Sequence, residues 1–505
     1  MQRALLIDEI IRQIFDFSAE NGLATLNALA RCCRTWEDPA LDYLWTRLAS
    51  IAPLLQLIPG VELVDGTYVL NTSHDTSDLT RFYFYAPRVK HISHQRRLQV
   101  DPTVLSILRD KHLPSSHPTV MPSLRSAKLS ATNCNEVQAC LSVSGALSKL
   151  DIDMGFKNRT SNEHIVQYLE DVVKTAHSLQ HLSIRGSLTE ALMRSVSSIS
   201  NLHTLSLRLG SSLTMAALLA VLMFPNLSEL EIHAGHINVN NLSVALSEKD
   251  TLSFPSLTRL RIRAHTPVLA LILEEIPIDV LHTLHIEAEE TAGVPATWGP
   301  VIRAISTKTS HSLQNLILEH HVEVDDAEIE SASSADTTSP KTDTSISYSD
   351  LQTLGSLRRL SRFVLDTTLP SAIDDDNLTS LVKGWPELQH LDLGSASVSQ
   401  AKSLTFRSLC TLAARTPKLT SLVVAAELKG CDPTTIPADT PSQHALTRLT
   451  FACAPPSEYK GLAQYLHRLF PMLLEVDGLT GCEEEWSQVR NALRYCHSPS
   501  EILSS

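Results

Sequence analysis

Cysteine motifs are absent from this sequence. Its nine cysteines are an odd number, and no two of them have the CxxC spacing. Cys32 and Cys33 are adjacent, and neighbouring residues do not easily form a normal disulfide. We therefore expect reduced thiols in a reducing compartment.

Recognisable catalytic and ligand-binding motifs are also missing. The sequence has no Walker-type phosphate loop, no GxGxxG that follows a strand, no GxSxG elbow and no HExxH pair. The 21 histidines are scattered and do not show the spacing of metal ligands. We predict no enzyme activity, no catalytic residues, no cofactor and no metal site.

Positive charge and long apolar runs are both scarce. The net charge of -13 argues against nucleic-acid binding, which normally needs a basic surface. The longest strongly apolar run, 215–224, is far shorter than the roughly 20 residues that span a bilayer. Asp8 and Glu9 interrupt the first apolar run too early for a signal peptide. The sequence therefore predicts no membrane contact and a cytoplasmic or nuclear protein.

The first 50 residues carry the pattern of three short helices. Residues 5–17 have apolar side chains at a helical period, and a polar stretch at 18–22 ends that pattern. A second helix is expected at 25–33, and Pro39 suits the first turn of a third. So small a module buries its apolar surface poorly. Its apolar stripe therefore packs either on the rest of the chain or on a partner.

The same stretch resembles an F-box. The matching runs are LIDEIIRQIF at 6–15, LARCCRTW at 29–36, AL at 40–41 and LW at 44–45. The family pattern opens with Leu-Pro-x-Glu-Ile, continues with Val-Cys-Arg-x-Trp and closes on Leu-Trp. Ile7 stands where the family usually has proline, and Cys32 replaces a common valine. The match covers about 45 residues of 505.

This resemblance implies that the helices bind the Skp-type adaptor of a cullin–RING ubiquitin ligase. Trp36 suits internal packing as well as it suits the interface. The side chains that we assign to the adaptor contact are Leu6, Ile10, Ile14, Leu29, Leu44 and Trp45.

The segment after the helices contains an aromatic cluster, LTRFYFYA at 79–86, which includes Arg81 and is followed by Arg88 and Lys90. It resembles the connector of fungal F-box proteins. A nucleic-acid patch is the alternative interpretation, and the net acidity of the chain disfavours it. We expect a cap that shields the first repeat, since repeat arrays need a closed end.

A repeated LxxLxL unit dominates the remaining chain. The gaps between successive copies are 23–32 residues, apart from one of 47, close to the leucine-rich-repeat period. In each copy the fourth and sixth positions would point inward on a short strand. The clearest copies begin at Leu124, Leu147, Leu179, Leu202, Leu227, Leu257, Leu281, Leu313, Leu360, Leu388, Leu419 and Leu446, with a weaker one at Leu473.

Helical patterns lie between these strands, for example at 162–176, 378–382 and 404–414. The fold class that follows is α/β: the F-box-like helical module, then an irregular leucine-rich-repeat solenoid, or horseshoe. We expect its parallel sheet on the concave face and its helices on the convex face.

The predicted division of the chain has five parts. Residues 1–48 form the F-box-like module, and 49–120 form the connector and N-terminal cap. Repeats occupy 121–320 and, together with a C-terminal cap, 351–505. Between them, 321–350 is rich in Asp, Glu, Ser and Thr, which predicts a disordered insertion.

A target would bind on the strand residues that face away from the leucines. Arg185, Arg208, Arg261 and Arg263 lie at such positions and suit a phosphorylated or acidic segment. Later strands carry Glu287, Glu319, Asp366 and Asp392, which predicts an acidic C-terminal half. The alternative is a solvated face on which the arginines form local salt bridges with residues such as Glu231.

Together with the repeat arc, the resemblance to an F-box implies the substrate-recognition subunit of an SCF-type ubiquitin ligase, with a Skp-type adaptor, a cullin and an unidentified target protein as partners. An interaction scaffold without a ubiquitin-ligase role is the first alternative. A regulator of a small GTPase is the second, and the sequence has no recognisable arginine-finger motif for it.

Overall fold

The structure of the protein is a computed structural model. It describes residues 7–20, 22–71, 78–94, 98–104, 119–130, 139, 141–156, 163–187, 189–209, 213–248, 253–289, 297–320, 346–367, 373–394, 404–428, 433–478 and 482–497. These residues fall into two compact units, Met1–Leu227 (unit 1) and Ser228–Ser505 (unit 2).

Unit 1 begins with three helices: α1 at Asp8–Glu20, α2 at Leu23–Ala30 and α3 at Arg34–Thr46. Asp8 and Glu9 lie in the first turn of α1, where negative charge favours a helix. The helix ends at Glu20, within the polar stretch that we expected to end it, and Ser18 turns its hydroxyl back to the carbonyl of Ile14. The chain then reaches Gly22, whose φ of 106° suits glycine.

The second and third helices differ from the sequence prediction. Helix α2 ends three residues early, at Ala30, and α3 begins at Arg34 rather than near Pro39. Pro39 therefore lies inside α3, where it removes one backbone donor, and not in the first turn. The prediction was wrong because it took proline as a start signal.

The connector contains a short helix, α4 at Ala52–Leu55, and a hairpin of β2 (Val61–Val64) and β3 (Thr67–Leu70). Asp65 and Gly66 join the two strands, both with positive φ, as a two-residue hairpin loop requires. The aromatic cluster forms α5 at Thr80–Tyr85 and a 3₁₀ turn at Ala86–Arg88. Strand β5, Gln99–Val100, pairs with β3.

A parallel sheet organises the rest of unit 1. Its strands run in chain order: β1 (Arg47–Leu48), β4 (His91–Ser93), β6 (Ser126–Ser130), β7 (Lys149–Gly155), β8 (His181–Gly186) and β9 (Thr204–Arg208). Strand β1 follows α3 without an intervening residue and pairs with β4. Helices α6 (Glu163–Thr175), α7 (Glu190–Ser197) and α8 (Met215–Leu222) alternate with the later strands.

Unit 2 repeats the same alternation of strand and helix. Its parallel sheet consists of β10 (Glu229–His233), β11 (Arg259–His265), β12 (Thr283–Glu289), β13 (Asn315–His320), β14 (Arg362–Thr367), β15 (His390–Asp392), β17 (Ser421–Val424), β19 (Arg448–Phe451) and β20 (Glu475–Gly478). A separate parallel pair joins β16 (Leu404–Thr405) to β18 (Ala426–Glu427).

The helices of unit 2 are α9 (Val239–Ser247), α10 (Thr266–Glu274), α11 (Trp298–Thr309), α12 (Tyr348–Leu351), α13 (Asp375–Val382), α14 (Phe406–Arg415), α15 (Tyr459–Leu469) and α16 (Glu483–His497). Short 3₁₀ turns cover Gln352–Ser356 and Pro433–Thr435. Polar caps fix several helix starts: the side chains of Asn238 and Asp374, for example, accept from the backbone amides of Asn241 and Asn377.

The leucines that open the repeats are core residues. All thirteen, from Leu124 to Leu473, are at most 2% exposed, and a strand of the parallel sheets begins two residues after each. In most strands of the parallel sheets, buried and more exposed residues alternate, as in β10 and β12, whereas β14 has three consecutive buried residues. The α/β class and the parallel sheets predicted from the spacing are therefore confirmed.

One side of the parallel sheet in each unit carries the buried strand residues, and the other side carries the more exposed ones. We use "open face" for the strand residues that alternate with the buried ones.

Most of the predicted insertion, 321–345, lies outside the described residues. Its last residues are folded, because α12 begins at Tyr348 and Ile346 is buried, so the predicted boundary at 350 lies too late. In the part of the chain that the structure describes, every helix is too short or too polar to cross a membrane.

Candidate functional site

The first candidate site is the surface of the N-terminal helical module, α1 to α3. Its core consists of Ile11, Phe15, Leu26 and Ala40, all nearly inaccessible to solvent. Phe15 makes edge-to-face contacts with Trp36 and Tyr43, with ring centroids 5.9 and 5.8 Å apart. Trp36 is thus an internal packing residue, one of the two roles that the sequence left open.

Hydrogen bonds stabilise the same core from its edge. The hydroxyl of Tyr43 donates to Asp16 Oδ1 at 2.8 Å. Burial, followed by that hydrogen bond to Asp16, raises the pKa of Tyr43 to about 12. Tyr43 therefore stays neutral at physiological pH and holds α1 against α3.

Several apolar side chains of the module remain in solvent. Phe17 is 70% exposed, Leu23 is 66% exposed and Ile7 is 46% exposed. Phe17 near the end of α1 and Leu23 at the start of α2 flank the turn between the two helices, and we call this pair the apolar edge of the module; Ile7 lies at the opposite end of α1. Exposed large apolar side chains beside a packed core are candidates for contact with a partner protein.

The structure distributes the six residues assigned to the adaptor contact unequally. Leu6 lies outside the described residues. Ile14, Leu29 and Leu44 are half-buried because they pack against the module core, and Ile10 is half-buried on α1. Each of these four therefore keeps part of its side chain accessible. The more exposed Phe17 and Leu23 were not assigned, because a helical period shows which residues share a face and not how deep that face is buried.

Trp45 has a specific partner outside the module. Its ring stacks on Tyr85 of α5, with centroids 4.5 Å apart and an interplanar angle of 28°. The ring remains partly accessible. Trp45 thus links α3 to the connector while keeping an accessible edge.

Arg88 makes a second link between α3 and the connector. Its guanidinium forms ion pairs with both Asp38 and Asp42, and it donates to the Asp38 carbonyl at 3.2 Å. Its side chain is only 12% exposed and lies over the ring of Phe84. Burial opposes the charge on Arg88, but the two carboxylates outweigh it and raise its pKa. The module is therefore fastened to the connector by charge as well as by packing.

The second candidate site is the open face of the parallel strands. In unit 1, Arg185 on β8 and Arg208 on β9 are adjacent in register and exposed. Arg185 Nη1 lies 3.1 Å from Asp153 Oδ2 on β7, and its guanidinium carbon lies 5.3 Å from the ring centroid of Phe156. This arginine is therefore paired with a carboxylate of the neighbouring strand.

Arg261 and Arg263, two of the three arginines of β11 in unit 2, are paired in the same way. Arg261 Nε donates to Glu287 Oε1 at 2.8 Å and lies 3.6 Å from Glu231 Oε1. Arg263 Nε donates to Glu289 Oε1 at 2.6 Å. Their placement on the open face is as the spacing predicts, and they form the local salt bridges that the sequence left as the alternative.

The later strands of unit 2 carry the predicted acidic residues. Glu319 on β13 and Asp366 on β14 are adjacent in register on the open face. Burial, and then the neighbouring charge of Asp366, raises the pKa of Asp392 on β15, although the backbone amide of Gly394 partly stabilises its carboxylate.

Sequence reasoning missed one cluster on this face. His285 and Glu287 on β12 lie beside Glu319 on β13, and each offers a possible ligand atom within 4.8 Å of the others. Glu319 is 34 positions after His285 in the chain, so no linear motif shows the group. The signal was the repeat itself, because in-register parallel strands place equivalent positions side by side.

Comparisons with known proteins do not assign this chain to a family. No protein-family model matches the chain, and no curated protein matches it. The chain is similar to a chain in the crystal structure of the Rad7 and Elc1 complex in yeast, with a TM-score of 0.33 and 14% sequence identity. That match covers 62% of this chain and 78% of the other chain. A likeness this distant does not establish membership of a family.

Proposed function

We propose that this protein is the substrate-recognition subunit of an SCF-type ubiquitin ligase. The N-terminal helices would bind a Skp-type adaptor and, through it, a cullin. A leucine-rich-repeat arc built from the strand–helix repeats would hold a target protein. The chain would supply proximity and orientation, and the chemistry would belong to its partners.

The observation that carries this proposal is the exposed apolar edge of the helical module. Phe17 and Leu23 lie in solvent beside a well-packed core. Burying such a side chain on a partner contributes about 1.5–3 kcal/mol. The edge belongs to the stretch whose sequence resembles an F-box, and Ile14 and Trp45 are not wholly enclosed by the chain.

Two substitutions remove the apolar edge without harming its helices. Leu23→Asp puts a carboxylate in the first turn of α2, and Phe17→Lys puts a cation near the end of α1. Both charges are favourable to the helix dipole at those positions. The double variant should fold normally and bind a purified Skp-type adaptor at least tenfold more weakly in calorimetry.

A matched control is Val244→Asp, which charges an exposed apolar residue on α9 of unit 2. It should bind the adaptor as the unsubstituted chain does. Equal binding by the double variant and the unsubstituted chain, or no binding by either, would contradict the adaptor proposal.

These substitutions are a sharper test than removal of residues 1–48. Such a truncation also deletes β1, exposes the edge of β4 and takes away both ion-pair partners of Arg88. A loss of cullin capture in the truncated chain would therefore mix a binding defect with a folding defect.

An interaction scaffold without a ubiquitin-ligase role is the second candidate function. It is favoured by the packing of Ile14, Leu29 and Leu44 on the module core and of Trp45 on Tyr85, which suits a cap as well as an interface. Absence of adaptor binding in both the unsubstituted chain and the Val244→Asp control would favour this scaffold.

We propose the open-face arginines Arg185, Arg208, Arg261 and Arg263 as target contacts. A phosphate or carboxylate of a target would have to displace Asp153, Glu287 or Glu289 from three of them. Charge reversal of Arg208, Arg261 and Arg263 should abolish target capture. Unchanged capture by a reversed variant that still folds would exclude this contact.

A further inference from the structure

The open face of unit 2 brings three metal-ligating side chains together. Glu287 on β12 is the register partner of Glu319 on β13, and His285 lies two positions before Glu287 on the same side of β12. His285 Nε2 is 2.9 Å from Glu319 Oε1 and 3.9 Å from Glu287 Oε1. The three side chains are only 16–25% exposed.

The contact between His285 and Glu319 has the distance of an ion pair but not the geometry of a hydrogen bond. His285 Nε2 is buried and has no hydrogen-bond partner among the described residues, although the Glu319 oxygen is so close. Two ligands of one tetrahedral ion with bonds of about 2.0–2.2 Å lie roughly 3.3–3.6 Å apart. The observed separations of 2.9 and 3.9 Å bracket that range, so small side-chain movements would place all three atoms around one ion.

The local charge also favours a divalent cation. Glu231, Glu287 and Glu319 surround one guanidinium, that of Arg261, and three negative charges against one positive charge leave a formal charge of -2. The neighbouring Arg263 is already paired with Glu289. Within the described residues, no salt bridge from Lys or Arg reaches Glu319.

We propose that His285, Glu287 and Glu319 form a binding site for a divalent transition metal of the Zn²⁺ type. The imidazole would supply Nε2 and each glutamate one carboxylate oxygen, a donor set that suits zinc. Glu287 would share Oε1 between the ion and Arg261, because Oε1 is the oxygen that lies near His285. Three protein ligands leave one position of a tetrahedral ion open to a further ligand.

Calorimetric titration of the reduced full-length chain with Zn²⁺ tests this site. Because cysteines also bind Zn²⁺, the test compares the stoichiometry and affinity of Zn²⁺ binding between the variants and the unsubstituted chain. His285→Gln and Glu319→Gln should each lose one equivalent of bound Zn²⁺, or bind it at least tenfold more weakly, because even outer-shell losses cost 10–100-fold. His390→Gln, which changes a histidine of the same face on β15, should bind as the unsubstituted chain does.

Thermal unfolding gives a second readout. Excess Zn²⁺ should raise the melting temperature of the unsubstituted chain and of His390→Gln more than that of either site variant. Equal stoichiometry, affinity and thermal response in the unsubstituted chain and both site variants would overturn the proposal. Circular dichroism without metal shows whether each variant folds. If His285→Gln unfolds, the Zn²⁺ titration of Glu319→Gln alone tests the site. The adaptor contact plays no part in this test.

Discussion

At the scale of single residues, His94 shows how burial sets chemistry. It follows β4 directly, and its side chain is almost fully buried. Its Nε2 lies 3.2 Å from the hydroxyl of Ser142. Burial lowers the pKa of His94 to about 4, because a charged imidazole would lose its hydration. The folded protein therefore holds this residue neutral.

This histidine should make stability depend on pH. Because its folded pKa lies below the unfolded value, its contribution is complete above about pH 6.5 and is lost as the pH falls towards 4. His94→Gln should flatten the fall in the free energy of unfolding over that range, by up to about 3 kcal/mol. Denaturant titrations at several pH values measure this, and His181→Gln, at an exposed site on β8, should leave the slope unchanged.

Two glycines of unit 2 offer a second residue-scale prediction. A Cβ atom on Gly384 would lie 1.8 Å from the carbonyl oxygen of Gly355, whereas a Cβ on Gly355 would have only one neighbour, at 4.0 Å. Gly384→Ala should lower the free energy of unfolding by about 1–3 kcal/mol, since backbone must move to admit the methyl group. Gly355→Ala is the matched control and should be nearly neutral. Equal destabilisation by both would contradict this account of the contact.

Residue identities in the core were predictable, and partners on the surface were not. The spacing of the leucines predicts which ones are buried, because a repeat constrains every copy in the same way. Whether Arg261 faces a partner or Glu287 depends on the register of β11 and β12, which no single strand reveals. The same limit hid the cluster of His285, Glu287 and Glu319.

At the scale of elements, the attachment of α3 to the connector depends on Arg88. Arg88→Met would keep the side-chain volume but leave Asp38 and Asp42 without their shared cation. We expect a loss of about 1–3 kcal/mol, moderated because Asp38 is largely exposed.

Hydrogen exchange measures this effect locally. The amides of α3 should exchange faster in Arg88→Met, while those of β8 and β9 should keep their protection. Arg81→Met, an exposed arginine on the connector helix α5, is the control and should exchange as the unsubstituted chain does. Unchanged protection of α3 in Arg88→Met would show that Trp45 and Tyr85 suffice for the attachment.

Helix boundaries were less predictable than strands. The strands begin at a fixed offset from a buried leucine, whereas the start of α3 was misjudged from Pro39. A proline favours the first turn of a helix only on average, and packing of the residues before it can extend the helix backwards. The prediction of α6 at 162–176 succeeded because its apolar period is long and uninterrupted.

At the scale of the whole molecule, the two proposed sites belong to different compact units. The apolar edge around Phe17 lies in unit 1, and His285 lies in unit 2. Sites that share no partner residues usually behave additively. Phe17→Lys with Leu23→Asp should therefore weaken adaptor binding and leave the zinc titration unchanged, and His285→Gln should do the reverse.

Both measurements on one set of variants test this independence. A variant at one site that impairs both titrations would indicate general misfolding or coupling between the sites, and would contradict the prediction.

The α/β class was predictable from the period of the leucines alone. The function was not, because periodicity describes a scaffold, and what binds to it depends on side chains that the period leaves free.

The junction at Thr46 and Arg47, where α3 passes directly into β1, limits how the N-terminal helices can move. No flexible tether separates the last helix of the module from the edge strand of the unit 1 sheet. A protein captured by these helices would thus be held in the same rigid frame as β1 and β4. The position of that protein relative to β1 would be fixed by the geometry of the α3–β1 junction, because no flexible linker lies between them.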